Sequence, residues 1–377
     1  SDGTDEVLDL LVVDGVVADR GRGLEPPETA LVIDATGTVV APGLVDMHVH
    51  LREPGREDEE TIASGTAAAS HGGVTSVAAM PNTEPPIDTP SWVRYVATAS
   101  ATARVHPVAA VTVGRRGETL TEMAELAEAG AVAFSDDGSP VESPTVMRRA
   151  LEYSAMIGRP VISHCEDLDL VGGGVMHEGL ASTVAGLRPA PGAAEVVAVA
   201  RDLILAGATG APIHIAHVST AGAVEQVRRA KADGVPVTCE TCPHYFSLTD
   251  EDVKSYDTSL RVNPPLRGRS DLEAVVAGIA DGTIDAIASD HAPHSMEEKQ
   301  VEFDAAPPGM IGLETLLPLT LTKLVDTGVI DLARAIELLS TRPASILGIE
   351  GGTLAPGATA DVVVIDDHWT WKVSTGW

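Results

Sequence analysis

The stretch APGLVDMHVH, residues 41–50, is the strongest indication of the fold of this chain. Its apolar residues and its length are typical of a buried strand. The stretch ends in His48 and His50, and a spacing of two on a strand places both imidazoles on the same face. It therefore predicts a core strand that carries two potential metal ligands at its carboxyl end.

Seven further β-rich runs follow, and helix-like segments alternate with them. The eight strand candidates are residues 41–50, 74–80, 105–114, 131–137, 160–166, 212–218, 236–245 and 284–292. Amphipathic helices are predicted at residues 59–71, 119–129, 144–157, 194–206, 220–233 and 270–281. Repeated strand–helix units imply right-handed crossovers and a parallel sheet, and eight of them predict an α/β fold closed into a (β/α)8 TIM barrel. An open doubly wound sheet is the alternative, but it often has a glycine-rich phosphate-binding turn, which we do not find.

The two ends of the chain do not follow this alternation. Residues 6–19, 31–34 and 352–367 are all β-like. We therefore predict a barrel formed by residues 41–350 and a small β-sandwich-like domain built from residues 1–40 and 351–377.

The charge balance argues against two classes of partner. The 377 residues include 25 Lys and Arg against 55 Asp and Glu, which give a formal net charge of −30. Nucleic-acid binding depends on basic side chains that neutralise phosphates, and anionic membranes repel a negatively charged surface. We therefore expect neither a nucleic-acid partner nor a membrane partner, and we expect an anionic substrate to need locally placed cations.

The cysteines and the N-terminus indicate a cytoplasmic protein. Three cysteines in a chain of this length suggest a reducing compartment without a disulfide framework. Cys239 and Cys242 could suggest a redox or zinc-ribbon motif, but a ribbon needs a second pair, so buried packing residues are favoured. The acidic N-terminus has no apolar signal segment, and residues 61–83 are too rich in Gly, Ser and Thr for a membrane span.

Side chains that commonly bind metal ions collect at the carboxyl ends of five predicted strands, where barrels of this type have their active sites. Imidazole and carboxylate ligands without cysteine fit zinc best, with manganese and cobalt as alternatives. A single histidine at a strand end is more often structural, so the prediction of a metal site depends on the whole set. The set consists of His48, His50, Asp136 or Asp137, His164, His217 and Asp290.

Three other histidines lie near these positions in the sequence. His214 precedes His217 by three residues, so it is expected on the opposite strand face and is not assigned as a ligand. His244 and His291 are expected to orient ligands from outside the metal site.

Four motifs in this order resemble the dihydroorotase family of the amidohydrolase superfamily. They are HVHLREPG at residues 48–55, MPNT at 80–83, RVNPPLR at 261–267 and SDHAPH at 289–294. The resemblance extends from about residue 9 to residue 366. It implies a zinc enzyme of de novo pyrimidine (UMP) biosynthesis that interconverts N-carbamoyl-L-aspartate and L-dihydroorotate. Members of the family usually continue with further β segments, so the small terminal domain is expected to be incomplete in this sequence.

The resemblance also implies the metal ligands, with two zinc ions per chain. By motif position, His48, His50 and Asp290 would hold one ion, and His164 and His217 the other. Many relatives bridge the two ions with a carboxylated lysine at the end of strand four, but the lysines of this chain all come too late in the sequence. Asp137 matches the branch that has aspartate there, and it is assigned as the bridging ligand. The missing lysine also argues against hydantoinase, dihydropyrimidinase and allantoinase.

The implied chemistry assigns further roles. A bound divalent cation lowers the pKa of its water from about 15.7 to roughly 7, so a metal-bound hydroxide is the expected nucleophile. Asp290 is expected to act as general base and general acid. Arg52 is expected to bind the substrate carboxylate with two hydrogen bonds, with a salt bridge at the rim as the alternative. By motif position, Asn82 and His294 share this role, and Asn263 and the backbone at Pro308 and Gly309 contact the pyrimidine ring.

Several alternatives stay open at this stage. Residues 295–309 are either a mobile lid over the site or an ordinary surface loop. The rival functions are a hydantoinase-type or allantoinase-type cyclic amidohydrolase and a non-catalytic scaffold, although a scaffold would be expected to have lost metal ligands. The resemblance also implies a possible homodimer and association with aspartate transcarbamoylase.

Overall fold

A computed structural model describes residues 5–373 of the chain. Within that range the strands are β1 (Asp9–Val13), β2 (Val16–Gly21), β3 (Val39–Pro42), β4 (Leu44–Val49), β5 (Val74–Ala79), β6 (Arg104–Ala109), β7 (Ala133–Phe134), β8 (Val161–Ser163), β9 (Met176–His177), β10 (Pro189–Ala190), β11 (Ile213–Ile215), β12 (Val237–Thr241), β13 (Ala286–Ile287) and β14 (Val362–Ile365).

The helices of the same range are mostly short connections around these strands. The α-helices are α1 (Ile62–His71), α2 (Pro90–Thr98), α3 (Met123–Glu128), α4 (Pro144–Ile157), α5 (Leu168–Val171), α6 (Leu180–Ala185), α7 (Ala193–Thr209), α8 (Ala221–Ala232), α9 (Pro243–Ser247), α10 (Arg269–Ala280), α11 (Met296–Lys299), α12 (Leu316–Thr320), α13 (Leu332–Ile336) and α14 (Arg342–Leu347). Short 3-10 helices are found at Val113–Arg115, Asp252–Ser255 and Thr258–Leu260, and π-helices at Leu321–Val325 and Glu337–Thr341.

The eight predicted core strands form one parallel sheet. Their order is β4, β5, β6, β7, β8, β11, β12, β13. The first and last strands meet where Val49 forms a parallel bridge with His291, and the His50 amide donates to the His291 carbonyl at 2.8 Å. This contact closes the barrel, so the predicted (β/α)8 fold is confirmed and the open doubly wound sheet is excluded. Because the strands are parallel, all their carboxyl ends lie at one edge, where barrels of this type carry their active sites.

The paired strands are shorter than predicted because polar residues at their ends leave the hydrogen-bond ladder. β7 consists of two residues, and β8 ends at Ser163, one residue before His164. His217 and Asp290 have φ angles of 35° and 50°. A backbone in this region cannot continue a strand, so each of these residues turns the chain at the edge of the barrel.

Local capping explains where the helices begin. The predicted helix 144–157 is observed as α4, because the Ser143 hydroxyl accepts from the Val146 amide and Pro144 occupies the first turn. The helix predicted from residue 59 begins instead at Ile62, since Thr61 caps it by accepting from the Ser64 amide. α2 was not among the predicted helices.

The main core lies between the barrel strands and the surrounding helices. Val77 of β5, Val93 of α2, Leu151 of α4 and Val199 of α7 are fully buried in one apolar cluster. Phe134 is the one aromatic residue among the fully buried side chains of largest volume in the described part. Aliphatic packing therefore holds the barrel rigid beneath the site.

Segments from both ends of the chain contact each other beside the barrel. β1 and β2 form an antiparallel hairpin, and β14 pairs antiparallel with β3. The Val17 amide donates to the Ala358 carbonyl at 2.9 Å, and the Ala360 amide donates to the Gly15 carbonyl at 2.8 Å. On this basis we propose that the terminal segments form the predicted β domain; residues 1–4 and 374–377 lie outside the described part.

The helices also bear on membrane association. Within the described residues, no helix combines the length and the apolar character needed to cross a bilayer.

Candidate active site

Asp137 lies at the centre of the predicted metal ligands. Its Oδ1 is 3.3 Å from His48 Nε2, and its Oδ2 is 3.6 Å from His50 Nε2. Oδ1 is also 3.6 Å from both His164 Nδ1 and His217 Nε2. One buried carboxylate is therefore shared by four imidazoles from three strand ends, which is the arrangement that a bridging ligand requires.

Asp290 follows the last barrel strand and lies beside the cluster of predicted ligands, which consists of His48, His50, Asp137, His164 and His217. Its Oδ1 is 3.2 Å from His50 Nε2 and 3.5 Å from His48 Nε2. Burial alone would raise the pKa of Asp290, but the charge of His48 and the hydrogen bond with His50 outweigh it, and the pKa lies below its ordinary value. The Asp290 side chain is therefore an anion beside His48 and His50.

Glu240, which the sequence analysis did not single out, orients His48. Its carboxylate is fully buried in β12, with Oε1 2.6 Å from His48 Nδ1 and Oε2 3.3 Å from His214 Nε2. A carboxylate that accepts from Nδ1–H leaves Nε2 free to bind a metal. The signal for Glu240 in the sequence was an acidic residue within a predicted buried strand.

The expected position of His214 is wrong. It shares the Glu240 carboxylate with His48, and its Nδ1 is 2.8 Å from Thr238 Oγ1, so it faces the barrel interior. The positive φ of His217 interrupts the strand alternation, so a spacing of three does not place the two histidines on opposite faces.

Two other histidines have a polar partner on the nitrogen that faces away from Asp137. Nδ1 of His50 is 2.7 Å from Asn82 Oδ1. Nε2 of His164 is 3.5 Å from Glu166 Oε2, which also accepts from Asn263 Nδ2 at 3.0 Å. Asn82, which is predicted to bind substrate, thus contacts a predicted metal ligand directly. Asn263 does so through Glu166.

Unpaired buried atoms test whether these residues fit a metal ion. Among residues 5–373, His48 Nε2 and Asp137 Oδ1 are buried without a hydrogen-bond partner, and an unsatisfied buried polar group costs about 1–3 kcal/mol. In the described part of the chain, four groups of three side chains have potential ligand atoms within 4.8 Å of one another, and two of the groups consist of predicted metal ligands. They are His48, His50 and Asp290, and His48, Asp137 and His217. The donor set and the two orphaned atoms fit a divalent cation.

A cavity of about 360 Å³ opens beside this cluster, lined in part by Arg52, Asn82 and His294. The guanidinium of Arg52 donates to the Pro293 carbonyl at 3.0 Å, and it forms an ion pair with Glu59 at 3.2 Å. Arg52 Nη2 is 3.3 Å from His294 Nε2. Arg52 is nearly buried, so it is not an exposed salt bridge at the rim, although it does pair with a carboxylate.

The predicted ring-binding backbone contacts His294, a side chain that lines this cavity. The Pro308 carbonyl accepts from His294 Nε2 at 2.9 Å, and the Gly309 amide donates to the Arg261 carbonyl at 2.7 Å. Asn263 lies apart from these two, beside Glu166. The structure therefore brings His294, Pro308 and Gly309 together. It places Asn263 beside Glu166, the residue that contacts His164.

The remaining candidates are buried. His291 Nε2 is 3.2 Å from Glu60, and its Nδ1 accepts from the Gly312 amide, so it contacts these groups rather than a ligand side chain. His244 forms a group with Cys242 and Asp290 in which potential ligand atoms lie within 4.8 Å. Burial lowers the pKa of His244 to about 4. Cys239 and Cys242 are free buried thiols, as packing residues would be.

A closed parallel barrel with imidazoles and carboxylates converging at its carboxyl edge is the architecture of the metal-dependent amidohydrolase superfamily. A family model described as dihydro-orotase-like matches residues 37–223. The chain is 56% identical to a dihydroorotase of Geobacter sp. (strain M21) and 56% identical to one of Pelobacter propionicus, in each case over 99% of this chain and 88% of the relative. The chain belongs to the dihydroorotase family.

Solved structures agree on the fold. The L-hydantoinase (dihydropyrimidinase) from Arthrobacter aurescens superimposes with a TM-score of 0.85 at 27% sequence identity, over 94% of this chain and 82% of that one. The chain therefore resembles the hydantoinase in its fold, whereas its sequence identity to the dihydroorotases is about twice as high.

Proposed function

We propose that this chain is a dihydroorotase that interconverts N-carbamoyl-L-aspartate and L-dihydroorotate in pyrimidine biosynthesis. The observation that carries the proposal is the nearly buried guanidinium of Arg52, which faces a cavity beside the ligand cluster. Dihydroorotate has a carboxylate away from the amide that reacts, whereas hydantoin and allantoin have none. A buried guanidinium that lines this cavity can bind an anionic group with paired hydrogen bonds, and it would explain how an anionic substrate binds a chain of net charge −30.

We propose that two zinc ions bind here, one at His48, His50 and Asp290 and the other at His164 and His217, with Asp137 between them. When bound, the ions polarise the scissile carbonyl and lower the pKa of water. Glu240 supports this arrangement because it fixes the tautomer of His48, and Asn82 and Glu166 do the same for His50 and His164.

Asp290 moves the proton in this proposal. In the hydrolytic direction it accepts a proton from the attacking water and delivers it to the amide nitrogen as the ring C–N bond breaks. In the biosynthetic direction it takes the proton from the ureido nitrogen as the ring C–N bond forms, and it delivers this proton to the departing hydroxyl group of the carboxyl carbon, which leaves as water. Its lowered pKa keeps it ionised, so it is ready to act as a base, and each proton that it accepts is passed on at once.

Arg52, Asn82 and His294 hold the substrate carboxylate. Because Asn82 Oδ1 faces His50 Nδ1, its Nδ2 is the atom left to donate to the carboxylate. Glu59 pairs with both Arg52 and His294, so these two side chains are fixed before the substrate arrives. Such preorganisation reduces the entropy lost on binding.

The proposal is tested by assaying the purified protein with L-dihydroorotate, N-carbamoyl-L-aspartate, hydantoin and allantoin. We expect turnover of the first two, loss of activity with a chelator and recovery with added Zn²⁺. Turnover of hydantoin without turnover of dihydroorotate would instead support a hydantoinase. Metal binding without turnover of any of the four would favour the scaffold.

Replacement of Arg52 by Met is expected to raise the KM for dihydroorotate roughly 10- to 150-fold. The reason is that a hydrogen bond to a charged group contributes about 1.5–3 kcal/mol. Steady-state kinetics measures the change, with Arg94→Met at an exposed position as the matched control. An unchanged KM in the Arg52 variant would refute its role in carboxylate binding.

Homodimerisation, association with aspartate transcarbamoylase and a cytoplasmic location follow only from the family and from composition, and they stay predictions. Size-exclusion chromatography with light scattering tests the first two, using the chain alone and mixed with the transcarbamoylase.

A further inference from the structure

The segment at residues 295–309 contacts several other parts of the chain. Ser295 caps its helix α11, because the Ser295 hydroxyl accepts from the Glu298 amide. The Glu298 carboxylate pairs with Arg56 at 2.7 Å, and Phe303 is buried in an apolar cluster. Lys299, which follows Glu298, is partly buried and makes contacts of a different kind.

Lys299 donates to backbone carbonyls of two separate parts of the chain. Its Nζ is 3.1 Å from the Thr258 carbonyl, 2.8 Å from that of Pro307 and 2.7 Å from that of Gly309. In return, the Thr258 hydroxyl donates to the Lys299 carbonyl at 2.6 Å. An ammonium has three N–H donors, so all three are used on backbone oxygens.

The backbone that Lys299 holds lies against the cavity. The Pro308 carbonyl accepts from His294, and Gly309 packs so closely that a Cβ there would lie 2.5 Å from the Ala292 carbonyl oxygen. Gly309 also has a φ of 148°, which favours glycine. A movement of residues 307–309 would therefore change the contact with His294 and displace Pro307, which lines the cavity.

We propose that Lys299 is a positioning residue for substrate binding, which clamps the backbone of residues 307–309 beside His294 because its ammonium joins the Pro307 and Gly309 carbonyls to the Thr258 carbonyl. This inference rests on the proposed function, because it assigns residues 307–309 to the binding of dihydroorotate. Lys299 does not touch the substrate in this proposal; it acts through the backbone and through His294.

The charge of Lys299 adds a pH dependence to this clamp. Burial lowers the pKa of Lys299 to about 8, and the charged groups that face it, in order of their effect, are Arg261, Asp257, Arg52 and Glu298. The two arginines lower the pKa further, and the two acidic groups raise it. Above pH 8 the amine keeps two N–H donors and turns a lone pair toward a carbonyl oxygen, so the clamp weakens as pH rises.

The test compares Lys299→Met, Lys299→Arg and, as the matched control, the exposed Lys254→Met. Loss of the ammonium is expected to raise the KM for dihydroorotate about tenfold, the size of one charge-assisted hydrogen bond, with kcat changed less. Arg should restore most of the loss. Between pH 7.5 and 9 the KM of the wild type should rise, whereas that of Lys299→Arg should stay flat because guanidinium remains charged. A KM for Lys299→Met equal to that of the wild type would overturn the proposal.

Hydrogen–deuterium exchange without substrate gives a readout independent of activity. Amides of residues 309–312 should exchange faster in Lys299→Met than in the wild type and in Lys254→Met, while the barrel strands stay unchanged. Faster exchange throughout the protein would mean a general loss of stability and would count against a local clamp. If the wild type fails to turn over dihydroorotate, the proposed function fails, whereas locally faster exchange would still establish the clamp itself.

Discussion

Replacement of Asp290 by Asn is expected to lower kcat roughly 10²- to 10⁴-fold in both directions of the reaction, the range contributed by a positioned general acid or base. The amide keeps the shape of the side chain and one oxygen for a metal, but it cannot accept the proton. Asp290 Oδ1 lies 3.2 Å from His50 Nε2. Asp137 also lies near Nε2 of His48 and His50, but it is already shared by four imidazoles, and Glu240 contacts the other ring nitrogen of His48, so neither carboxylate is placed to replace Asp290.

The measurement is steady-state kinetics with L-dihydroorotate and with N-carbamoyl-L-aspartate, together with metal analysis of the same samples. Asp169→Asn, at an exposed position, serves as the control. The expected combination is a large loss of kcat with metal still bound. A variant that retains more than a tenth of the wild-type kcat would rule out Asp290 as the proton carrier.

Replacement of Asp137 by Ala is expected to remove at least one of the two proposed metal ions and to abolish measurable turnover. The Asp137 carboxylate contacts the histidines of both proposed metal sites, with distances of 3.3 Å to His48 and 3.6 Å to His164. Its loss would leave neither ion with a bridging anion and would remove the one carboxylate that all four imidazoles share. The metal content per chain, measured by elemental analysis after dialysis, should fall from about two to one or less.

The adjacent carboxylate provides a matched control. Asp136 follows the same strand but accepts from the Thr112 amide at 3.0 Å and faces away from the cluster. Asp136→Asn should therefore keep its metal, even if it loses some stability. Equal metal content in the Asp137 variant and the wild type would show that Asp137 is not a ligand.

Much of the architecture was predictable because the relevant signals are local. Strand and helix periodicity depend on neighbouring residues, and eight strand–helix repeats allow few topologies. The histidines and aspartates at strand ends were identified for the same reason, since parallel strands bring their carboxyl ends to one edge. The error at His214 came from extending strand alternation past β11, where the φ of His217 ends it.

What the sequence by itself determined is thus the barrel, the edge at which the site lies and the residue types that reach it. The tertiary structure alone decided which side chains pair. Glu240 meets His48 across 192 residues of sequence, and Lys299 meets the Thr258 carbonyl from another connection. Such contacts depend on closure of the barrel and on the side-chain rotamers that dense packing leaves open, and neither is encoded in the spacing of residues along one strand.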